Sequence, residues 1–198
     1  TFMILGDTCT RNCRFCAIKT GNPAGELDEN EPENLAKAIS ELELDYAVIT
    51  AVDRDDLRDG GAAHFAQCIH ACRKHDPKLI VEVLTGDFAG DLNDVQHIVD
   101  AKPHVFAHNV ETVQRLQSTV RDARANYEQS LSVLEYVKKK DPEIFTKSSI
   151  MLGLGETEEE VIRVMQDLHS IGVSIFTLGQ YLRPSAKHIK LDEFVTPA

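Results

Sequence analysis

Six short runs rich in β-branched and aromatic residues alternate with amphipathic helical stretches, and this alternation constrains the fold more than any other feature of the chain. Strands joined through helices run parallel, because each right-handed crossover returns the chain to the same end of the sheet. Such units can close into a barrel or form an open sheet, and six units favour an α/β fold of the partial (β/α)6 barrel type. The predicted strands are Phe2–Leu5, Tyr46–Val52, Leu79–Leu84, Val105–Ala107, Phe145–Leu152 and Ser174–Leu178.

The predicted helices combine apolar residues at helical spacing with helix-start signals. Pro32 lies in the first turn after Asn30, which can cap it, and Leu35 and Ile39 follow on one face. Thr157-Glu-Glu-Glu160 has the spacing of a capping box and predicts the clearest helix start in the chain. Further apolar stripes begin at Phe65, Val95 and Leu131.

Length and charge exclude several classes of protein. With 198 residues, the chain is expected to form a single domain over residues 1–198. The formal net charge of −11 argues against nucleic acid or an anionic membrane as a main partner. No apolar run approaches the roughly 18 residues of a membrane span. Because the chain opens at Thr1 without a methionine, it is expected to be an excerpt of a longer protein.

Three of the five cysteines lie in Cys9-Thr-Arg-Asn-Cys13-Arg-Phe-Cys16, directly after the first predicted strand. Thiolates suit zinc or an iron–sulfur cluster. A structural zinc site requires four protein ligands, and the next candidate, His64, lies far along the chain. A four-iron cluster held by three cysteines leaves one iron open to an exogenous ligand. The spacing therefore favours a [4Fe-4S] cluster on Cys9, Cys13 and Cys16, with a non-catalytic, zinc-stabilised β/α module as the alternative.

The cysteine count also bears on the compartment. Five cysteines, with three in one loop, do not form the pattern of a secreted disulfide framework. A reducing compartment that builds clusters fits better, which means the cytoplasm, or the mitochondrial or plastid matrix. Cys68 and Cys72 lie one helical turn apart, and Cys72 is on the apolar stripe, so both are predicted to be free core cysteines.

Polar or glycine-containing segments follow four of the predicted strands. They are the cysteine loop, Asp53-Arg-Asp-Asp56, His108-Asn-Val-Glu111 and Gly153-Leu-Gly-Glu156. The carboxyl ends of parallel strands meet at one edge of the sheet, where ligands bind. The four segments are therefore predicted to form one site.

The C-x3-C-x2-C loop resembles the cluster loop of the radical S-adenosylmethionine enzymes, in which the amino and carboxylate groups of the methionine moiety occupy the open iron. Phe15, just before the last cysteine, is the residue type that such loops carry beside the adenine. The resemblance implies a reduced cluster that passes an electron to S-adenosylmethionine and yields methionine and a 5′-deoxyadenosyl radical. Such a radical can abstract hydrogen from an unactivated carbon, and the protein mainly positions the cofactor.

Six further segments lie in order along nearly the whole chain. They are Thr50-Ala-Val-Asp-Arg-Asp-Asp-Leu57, Val81-Glu-Val-Leu-Thr-Gly-Asp-Phe88, His108-Asn-Val-Glu-Thr112, Ala125-Asn-Tyr-Glu-Gln-Ser-Leu131, Thr146-Lys-Ser-Ser-Ile-Met-Leu-Gly-Leu-Gly-Glu-Thr157 and Leu178-Gly-Gln-Tyr-Leu182. Together, after the cysteine loop, these segments resemble the lipoyl synthase family. The resemblance implies a partial β/α barrel that inserts sulfur at C6 and C8 of an octanoyl group. That group is carried on a lysine of a lipoyl carrier domain or a glycine cleavage H protein. Ala107, Val120-Arg-Asp and Ser149-Ile-Met lean toward the mitochondrial or plastid type.

The resemblance also implies which residues hold S-adenosylmethionine. Asn109 and Glu111 offer a donor and acceptors to ribose hydroxyls, although Asn109 could instead cap the following helix. Lys147 lies inside an apolar strand and requires a partner, either the cofactor carboxylate or an acid such as Glu82. The full set of implied cofactor-binding residues is Phe15, Thr50, Asp53, Arg54, Asn109, Glu111, Lys147, Gly153, Gly155, Glu156 and Gln180.

Two features limit the resemblance. Complete members of the family carry an upstream three-cysteine motif for an auxiliary [4Fe-4S] cluster, the sulfur donor, and a downstream serine segment that completes it, and this chain has neither. The His108-Asn-x-acid pattern also occurs in biotin synthase, so sulfur insertion into a small free substrate is a second enzymatic alternative. In either case a small electron donor of the ferredoxin or flavodoxin type is expected.

Overall fold

The computed structural model describes residues 1–196, and a six-stranded parallel sheet forms its centre. The strands follow one another in the sheet in chain order, and the first and last of them are its two edges. The sheet strands are β1 (Phe2–Ile4), β4 (Tyr46–Ala51), β5 (Ile80–Leu84), β6 (Val105–Ala107), β7 (Phe145–Leu152) and β8 (Ile175–Gln180). All six predicted strands are confirmed to within two residues at each end, and so is the partial (β/α)6 barrel.

Helices follow the strands and cover the outer face of the sheet. They are α1 (Glu31–Glu41), α2 (Ala62–His75), α3 (Leu92–Ala101), α4 (Gln117–Val120), α5 (Tyr127–Lys140) and α6 (Glu158–Ser170). The predicted capping box is confirmed, because the Thr157 hydroxyl accepts from the Glu160 N–H while the Glu160 carboxylate accepts from the Thr157 N–H. Asn30 precedes α1 but makes no side-chain cap bond.

One hydrophobic core lies between the sheet and these helices. Val83 and Phe106 of the sheet and Phe65 and Leu134 of the helices are almost completely buried in it. Cys68 and Cys72, which are 0% and 1% exposed, lie on the inner face of α2, so the prediction of free core cysteines is confirmed. Burial raises the pKa of Cys68 to about 12, so its thiol stays protonated and packs as a small apolar group.

A second, two-stranded parallel sheet was not predicted. It pairs β2 (Thr8–Cys9) with β3 (Lys19–Thr20), and these strands lie on either side of the cysteine loop. Its strands are too short to show a period in the sequence. It fixes the two ends of the loop against each other. Within residues 1–196, no helix combines the length and apolar character required to cross a membrane.

Gly61, the residue that precedes α2, has φ of +88°, and a Cβ placed on it would lie 2.6 Å from Leu5 Cδ1. Gly6 has a similar φ of +85°, yet a Cβ there meets nothing within 4 Å. We expect Gly6→Ala to lower the free energy of unfolding by about 1 kcal/mol through backbone strain, and Gly61→Ala by about 2–3 kcal/mol because packing adds to it. Urea unfolding of both variants measures the difference, and equal losses would contradict the packing contribution.

Candidate active site

A cavity of about 250 Å³ opens at the carboxyl ends of β1, β4, β5 and β6. Eight of the predicted site residues line it together: Cys9, Cys13, Phe15, Cys16, Thr50, Asp53, Asn109 and Glu111. Apolar side chains, among them Ile18, Val52 and Leu84, form another part of the wall. The parallel topology brings these residues together, because every one lies at or just beyond the carboxyl end of a strand.

The cysteine loop presents its sulfurs to this cavity with backbone donors directed at two of them. The Arg11 N–H donates to Cys9 Sγ at 3.4 Å, and the Asp122 N–H donates to Cys13 Sγ at 3.3 Å. Burial raises the pKa of the Cys9 thiol, and raises that of Cys13 to about 11. Both thiols are therefore protonated at neutral pH unless a metal centre binds them as thiolates. Donors directed at sulfur suit such a bound, negatively charged state.

The number of thiols in the loop bears on the choice between a cluster and a single zinc ion. A structural zinc site requires four protein ligands, and the loop supplies three. Three thiols match three irons of a four-iron cluster and leave the fourth open to a ligand in the cavity. Within residues 1–196, Glu31, His64 and Cys68 form a group whose possible ligand atoms lie within 4.8 Å of one another, and none of the three lines the cavity.

The Glu31, His64 and Cys68 group has a structural explanation of its own. Glu31 Oε2 accepts from the Leu5 N–H at 2.9 Å and lies 2.7 Å from His64 Nε2. One carboxylate therefore joins the starts of α1 and α2 to the end of β1. Cys68 lies one turn after His64 in the buried face of α2.

Arg11, inside the cysteine loop, is 3% exposed and carries the strongest ion pairs of the site. Its guanidinium donates to Asp87 at 2.6 and 2.9 Å and to Asp55 at 2.9 and 3.1 Å. Arg11 was missed by sequence reasoning because its partners are 76 and 44 residues away. These bonds fix the loop to the segments that follow β5 and β4.

Asp53 lines the cavity as predicted, beside this network. Its carboxylate lies 3.7 Å from the Arg11 guanidinium, and its carbonyl accepts from the Thr10 N–H at 2.9 Å. Burial, with Asp87 and Asp55 nearby, raises the pKa of Asp53 to about 6, although Arg11 opposes the shift. A Cβ on Gly86 would lie 2.2 Å from Asp53 Oδ1, so the glycine leaves the space that this carboxylate occupies.

Asn109 and Glu111 lie on a backbone extension of β6. Glu111 has φ of +66° and makes an isolated parallel bridge to Ile150 of β7. Both side chains are half-buried and line the cavity. Burial raises the pKa of Glu111, while Arg121 and a hydrogen bond from Asn109 lower it. An amide and a carboxyl group are thus held side by side on the wall, which is the arrangement that adjacent hydroxyl groups of a ligand require.

Arg121 is a cavity residue that the sequence reasoning did not single out. It is 8% exposed, and its Nη1 donates to Ser130 Oγ at 2.8 Å and to Gln117 Oε1 at 3.2 Å. Within residues 1–196, no carboxylate lies within 4.0 Å of the guanidinium. A buried cation that faces a cavity with only neutral partners suits an anionic group of a bound ligand. The Thr85 hydroxyl, buried in the same wall, also lacks a partner among the described residues.

His108 lies in the same wall and makes hydrogen bonds through both ring nitrogens. Its Nδ1 lies 2.9 Å from the Thr85 carbonyl, which can only accept, so Nδ1 carries the proton. Its Nε2 then accepts from the Ser130 hydroxyl at 2.9 Å, and that oxygen also accepts from Arg121. Burial, together with Arg121, lowers the pKa of His108 to about 4, so the ring is neutral at neutral pH.

Six other residues implied by the resemblance do not line the cavity: Arg54, Lys147, Gly153, Gly155, Glu156 and Gln180. Arg54 instead donates to Asp56 and to the Leu5 and Glu26 carbonyls. Lys147 pairs with Glu82 at 2.7 Å on the inner face of the sheet, which is one of the two partners that the sequence left open. Both cations therefore have partners within the protein.

The remaining four residues, Gly153, Gly155, Glu156 and Gln180, stabilise the loop that follows β7 and its contacts with the C-terminal residues. The Glu156 carboxylate accepts from the Gly153 and Leu154 N–H groups at 2.6 and 2.9 Å. The Gln180 amide donates to the Leu152 and Glu193 carbonyls and accepts from the Val195 N–H at 2.8 Å. Gly153 and Gly155 both have φ of +94°, so the turn itself requires them.

A parallel partial barrel with a three-cysteine loop at the carboxyl ends of its strands places the chain among the α/β barrel proteins. The sequence profile described as "Radical SAM superfamily" matches residues 3–168. The chain therefore belongs to the radical SAM superfamily, whose members use a [4Fe-4S] cluster and S-adenosylmethionine.

The chain is also similar to curated lipoyl synthases. The enzyme of Marinobacter nauticus is 56% identical over 197 residues, which cover 100% of this chain and 57% of the relative. The chloroplastic enzyme of Arabidopsis thaliana is 57% identical, and the match covers 100% of this chain and 50% of that relative. The mitochondrial enzyme of Branchiostoma floridae is 54% identical, and the match covers 100% of this chain and 52% of that relative. The chain spans about half the length of these relatives, and its identity to bacterial and organellar forms is nearly the same.

Solved structures show the same fold at low sequence identity. Methylornithine synthase (PylB) superposes with a TM-score of 0.76 at 13% identity, over 97% of this chain and 56% of that protein. The hydrogenase maturase HydG of Carboxydothermus hydrogenoformans has a TM-score of 0.73 at 15% identity, over 98% and 47%. At these identities the similarity establishes the fold alone.

We expect acid to destabilise the fold through His108. Between pH 6.5 and about 4 the unfolded chain binds a proton at this histidine and the folded chain does not, so the free energy of unfolding falls as pH falls. The shift corresponds to at most about 3 kcal/mol across that window. Urea unfolding at several pH values should show a smaller loss for His108→Gln than for wild type, and equal pH dependence would contradict this account.

Proposed function

We propose that this chain is the catalytic core of a lipoyl synthase. The observation that carries the proposal is the convergence of three cysteines, Asn109, Glu111 and Arg121 on one cavity at the strand ends. Curated lipoyl synthases at 53–57% identity over the whole chain support the same assignment. The reaction is the insertion of sulfur at C6 and C8 of an octanoyl group on a lysine of a lipoyl carrier domain or H protein.

Cys9, Cys13 and Cys16 would hold a [4Fe-4S] cluster through three of its irons. When bound, the cluster and S-adenosylmethionine supply a 5′-deoxyadenosyl radical, which abstracts hydrogen from carbons too inert for acid–base chemistry. The apolar side chains of Val52 and Leu84 in the cavity wall would limit the access of water to this chemistry.

The other cavity residues would bind S-adenosylmethionine. Asn109 and Glu111 would bind the two ribose hydroxyls and Phe15 would pack on the adenine, which their positions in the cavity wall support. The Arg121 guanidinium would pair with the carboxylate of the methionine moiety, because the hydrogen bonds that it makes go to neutral side chains and the guanidinium is buried. Thr50 and Asp53 contribute a hydroxyl and a carboxyl group to the same wall. Arg54, Lys147, Gly153, Gly155, Glu156 and Gln180 would support this site from outside the cavity.

Sulfur would come from a part of the protein beyond these 198 residues. Cys68 and Cys72 are the only cysteines left after the loop, and both are buried in α2. Two thiols do not supply the ligands of a four-iron cluster. An auxiliary [4Fe-4S] cluster therefore requires ligands from the remaining length that the curated relatives carry.

The partners follow from this chemistry. The enzyme would act on an octanoylated carrier domain or H protein and would receive electrons from a small ferredoxin or flavodoxin. With a net charge of −11, neither nucleic acid nor an anionic membrane is proposed as a partner. The proposed compartment is one that builds clusters, which is the cytoplasm or the mitochondrial or plastid matrix.

The cluster assignment is tested by cleavage of S-adenosylmethionine to 5′-deoxyadenosine in the reconstituted, reduced protein. We expect Cys13→Ala to abolish the product, because the cluster loses one of three ligands. Cys68→Ser, which changes a buried cysteine outside the cavity, should retain it. Product formation by Cys13→Ala at the wild-type rate would overturn the assignment, as would a colourless zinc-containing protein after reconstitution.

The substrate is tested with the full-length protein. Incubation with an octanoylated carrier peptide should give the lipoylated peptide, detected by its mass, and incubation with dethiobiotin should give no biotin. The reverse outcome would favour the biotin synthase alternative.

The cofactor contacts are tested by the Kd of S-adenosylmethionine under anaerobic conditions. Asn109→Ala and Glu111→Ala should each raise the Kd about tenfold, because each loses a hydrogen bond inside the cavity. Arg121→Met should raise it further, since it loses a charge-assisted bond. Arg163→Met makes the same substitution on the exposed face of α6 and should leave the Kd unchanged. A Kd for Arg121→Met that equals wild type would contradict its role.

A further inference from the structure

Residues 181–195, the C-terminal strap, return from β8 across the cysteine loop. Tyr181, 2% exposed, packs with Val120 and Leu154, and Phe15 of the cysteine loop packs against the same cluster. The Tyr181 hydroxyl donates to the Ile189 carbonyl at 2.9 Å, which closes the strap on itself. Sequence reasoning assigned no cofactor or metal contact to the strap.

Two strap residues bond to the cysteine loop on either side of Phe15. The Ile189 N–H donates to the Arg14 carbonyl at 2.9 Å. The His188 Nε2 lies 3.1 Å from the Cys16 carbonyl. Residues 14 and 16 flank the aromatic side chain that lines the cavity, so these two bonds fix the last turn of the loop. Of these two hydrogen bonds, only the one from His188 is made by a strap side chain.

The local hydrogen bonds fix the orientation of the His188 ring. The Cys16 carbonyl can only accept, so Nε2 donates to it. Nδ1 lies 2.8 Å from the Ser185 hydroxyl. The Arg183 guanidinium donates to the Ala186 and His188 carbonyls at 2.6 to 3.0 Å and so holds this turn in place. The ring is therefore held at both nitrogens, with its Nε2 donor directed at the backbone carbonyl of Cys16.

We propose that His188 is a positioning residue for the cluster, acting through the Cys16 carbonyl. The inference rests on the proposed function, because it requires a cluster on Cys16. Second-sphere hydrogen bonds orient metal ligands, and partners of this kind affect how firmly the metal is held. The bond restrains Cys16, which is half-buried at the last position of the loop.

The strap has enough other contacts to stay in place without His188. Asp192 N–H donates to the Gly153 carbonyl at 2.9 Å, and Gln180 bonds to Glu193 and Val195. Tyr181 remains buried. Loss of the imidazole therefore removes the restraint on Cys16 and leaves the strap attached.

The experiment compares wild type, His188→Ala, His188→Gln and Lys187→Ala in the full-length, anaerobically reconstituted protein. The first measurement is the rate of cluster bleaching in air. The second is the EPR spectrum of the reduced protein with and without S-adenosylmethionine, which reports the cluster that has an open iron. We expect His188→Ala to bleach about fivefold faster, the factor that one ordinary hydrogen bond contributes to an equilibrium, and to show an altered cofactor-dependent EPR spectrum.

His188→Gln places an amide donor at a similar reach and should return both measurements to within about twofold of wild type. Lys187→Ala removes the exposed neighbouring side chain and should match wild type. The proposal is overturned if His188→Ala matches wild type in both measurements, or if His188→Gln is as impaired as His188→Ala. A wild-type protein that holds a cluster but fails to cleave S-adenosylmethionine would overturn the proposed function and leave the His188 comparison valid.

Discussion

The buried ion pairs of Arg11 are the interaction on which the rest of the site depends. This side chain belongs to the cysteine loop, and its partners Asp55 and Asp87 follow β4 and β5. One guanidinium therefore fixes an irregular loop to two neighbouring strand ends. Removing one partner from a buried pair costs about 3–5 kcal/mol because the other charge stays buried and uncompensated. We expect the positions of the three sulfurs to depend on these ion pairs, because the arginine lies in the same loop as the cysteines.

The two buried arginines of the cavity have opposite electrostatic surroundings. Arg11 is neutralised by aspartates, whereas Arg121 has neutral partners, Gln117 and Ser130. In a chain with a net charge of −11, a buried arginine that makes no ion pair within 4.0 Å among residues 1–196 is a local exception. An anion bound in the cavity would stabilise this cation further, and the cavity has room for one. The neutral His108 behind it adds no competing charge, because burial keeps that ring unprotonated.

The four charged residues Asp53-Arg-Asp-Asp56 show where sequence reasoning stops. Their position after β4 placed them at the site, and Asp53 does line the cavity. Arg54 instead turns into the protein toward Asp56 and the Leu5 carbonyl. A loop has no period from which the direction of each side chain can be read. The sequence therefore does not show which of these charged side chains faces the cavity and which one packs into the protein. Lys147 was similarly undecided until Glu82 was found within 2.7 Å.

The sequence by itself determined the six parallel β/α units and the cysteine loop, because strand and helix periods and thiol spacing are local properties of the chain. It favoured a partial barrel over an open sheet, and Asn109 and Glu111 were predicted from a family resemblance. Only the tertiary structure revealed the contacts of Arg11, Arg121 and His188. Arg121 bonds to residues only 4 and 9 positions away, but the cavity that it faces forms only in the folded chain. The partners of the other two are distant: His188 and Cys16 are 172 residues apart, and Arg11 and Asp87 are 76 apart. Contacts at such separations leave no local pattern, since they arise only after the parallel strands have brought their carboxyl ends together.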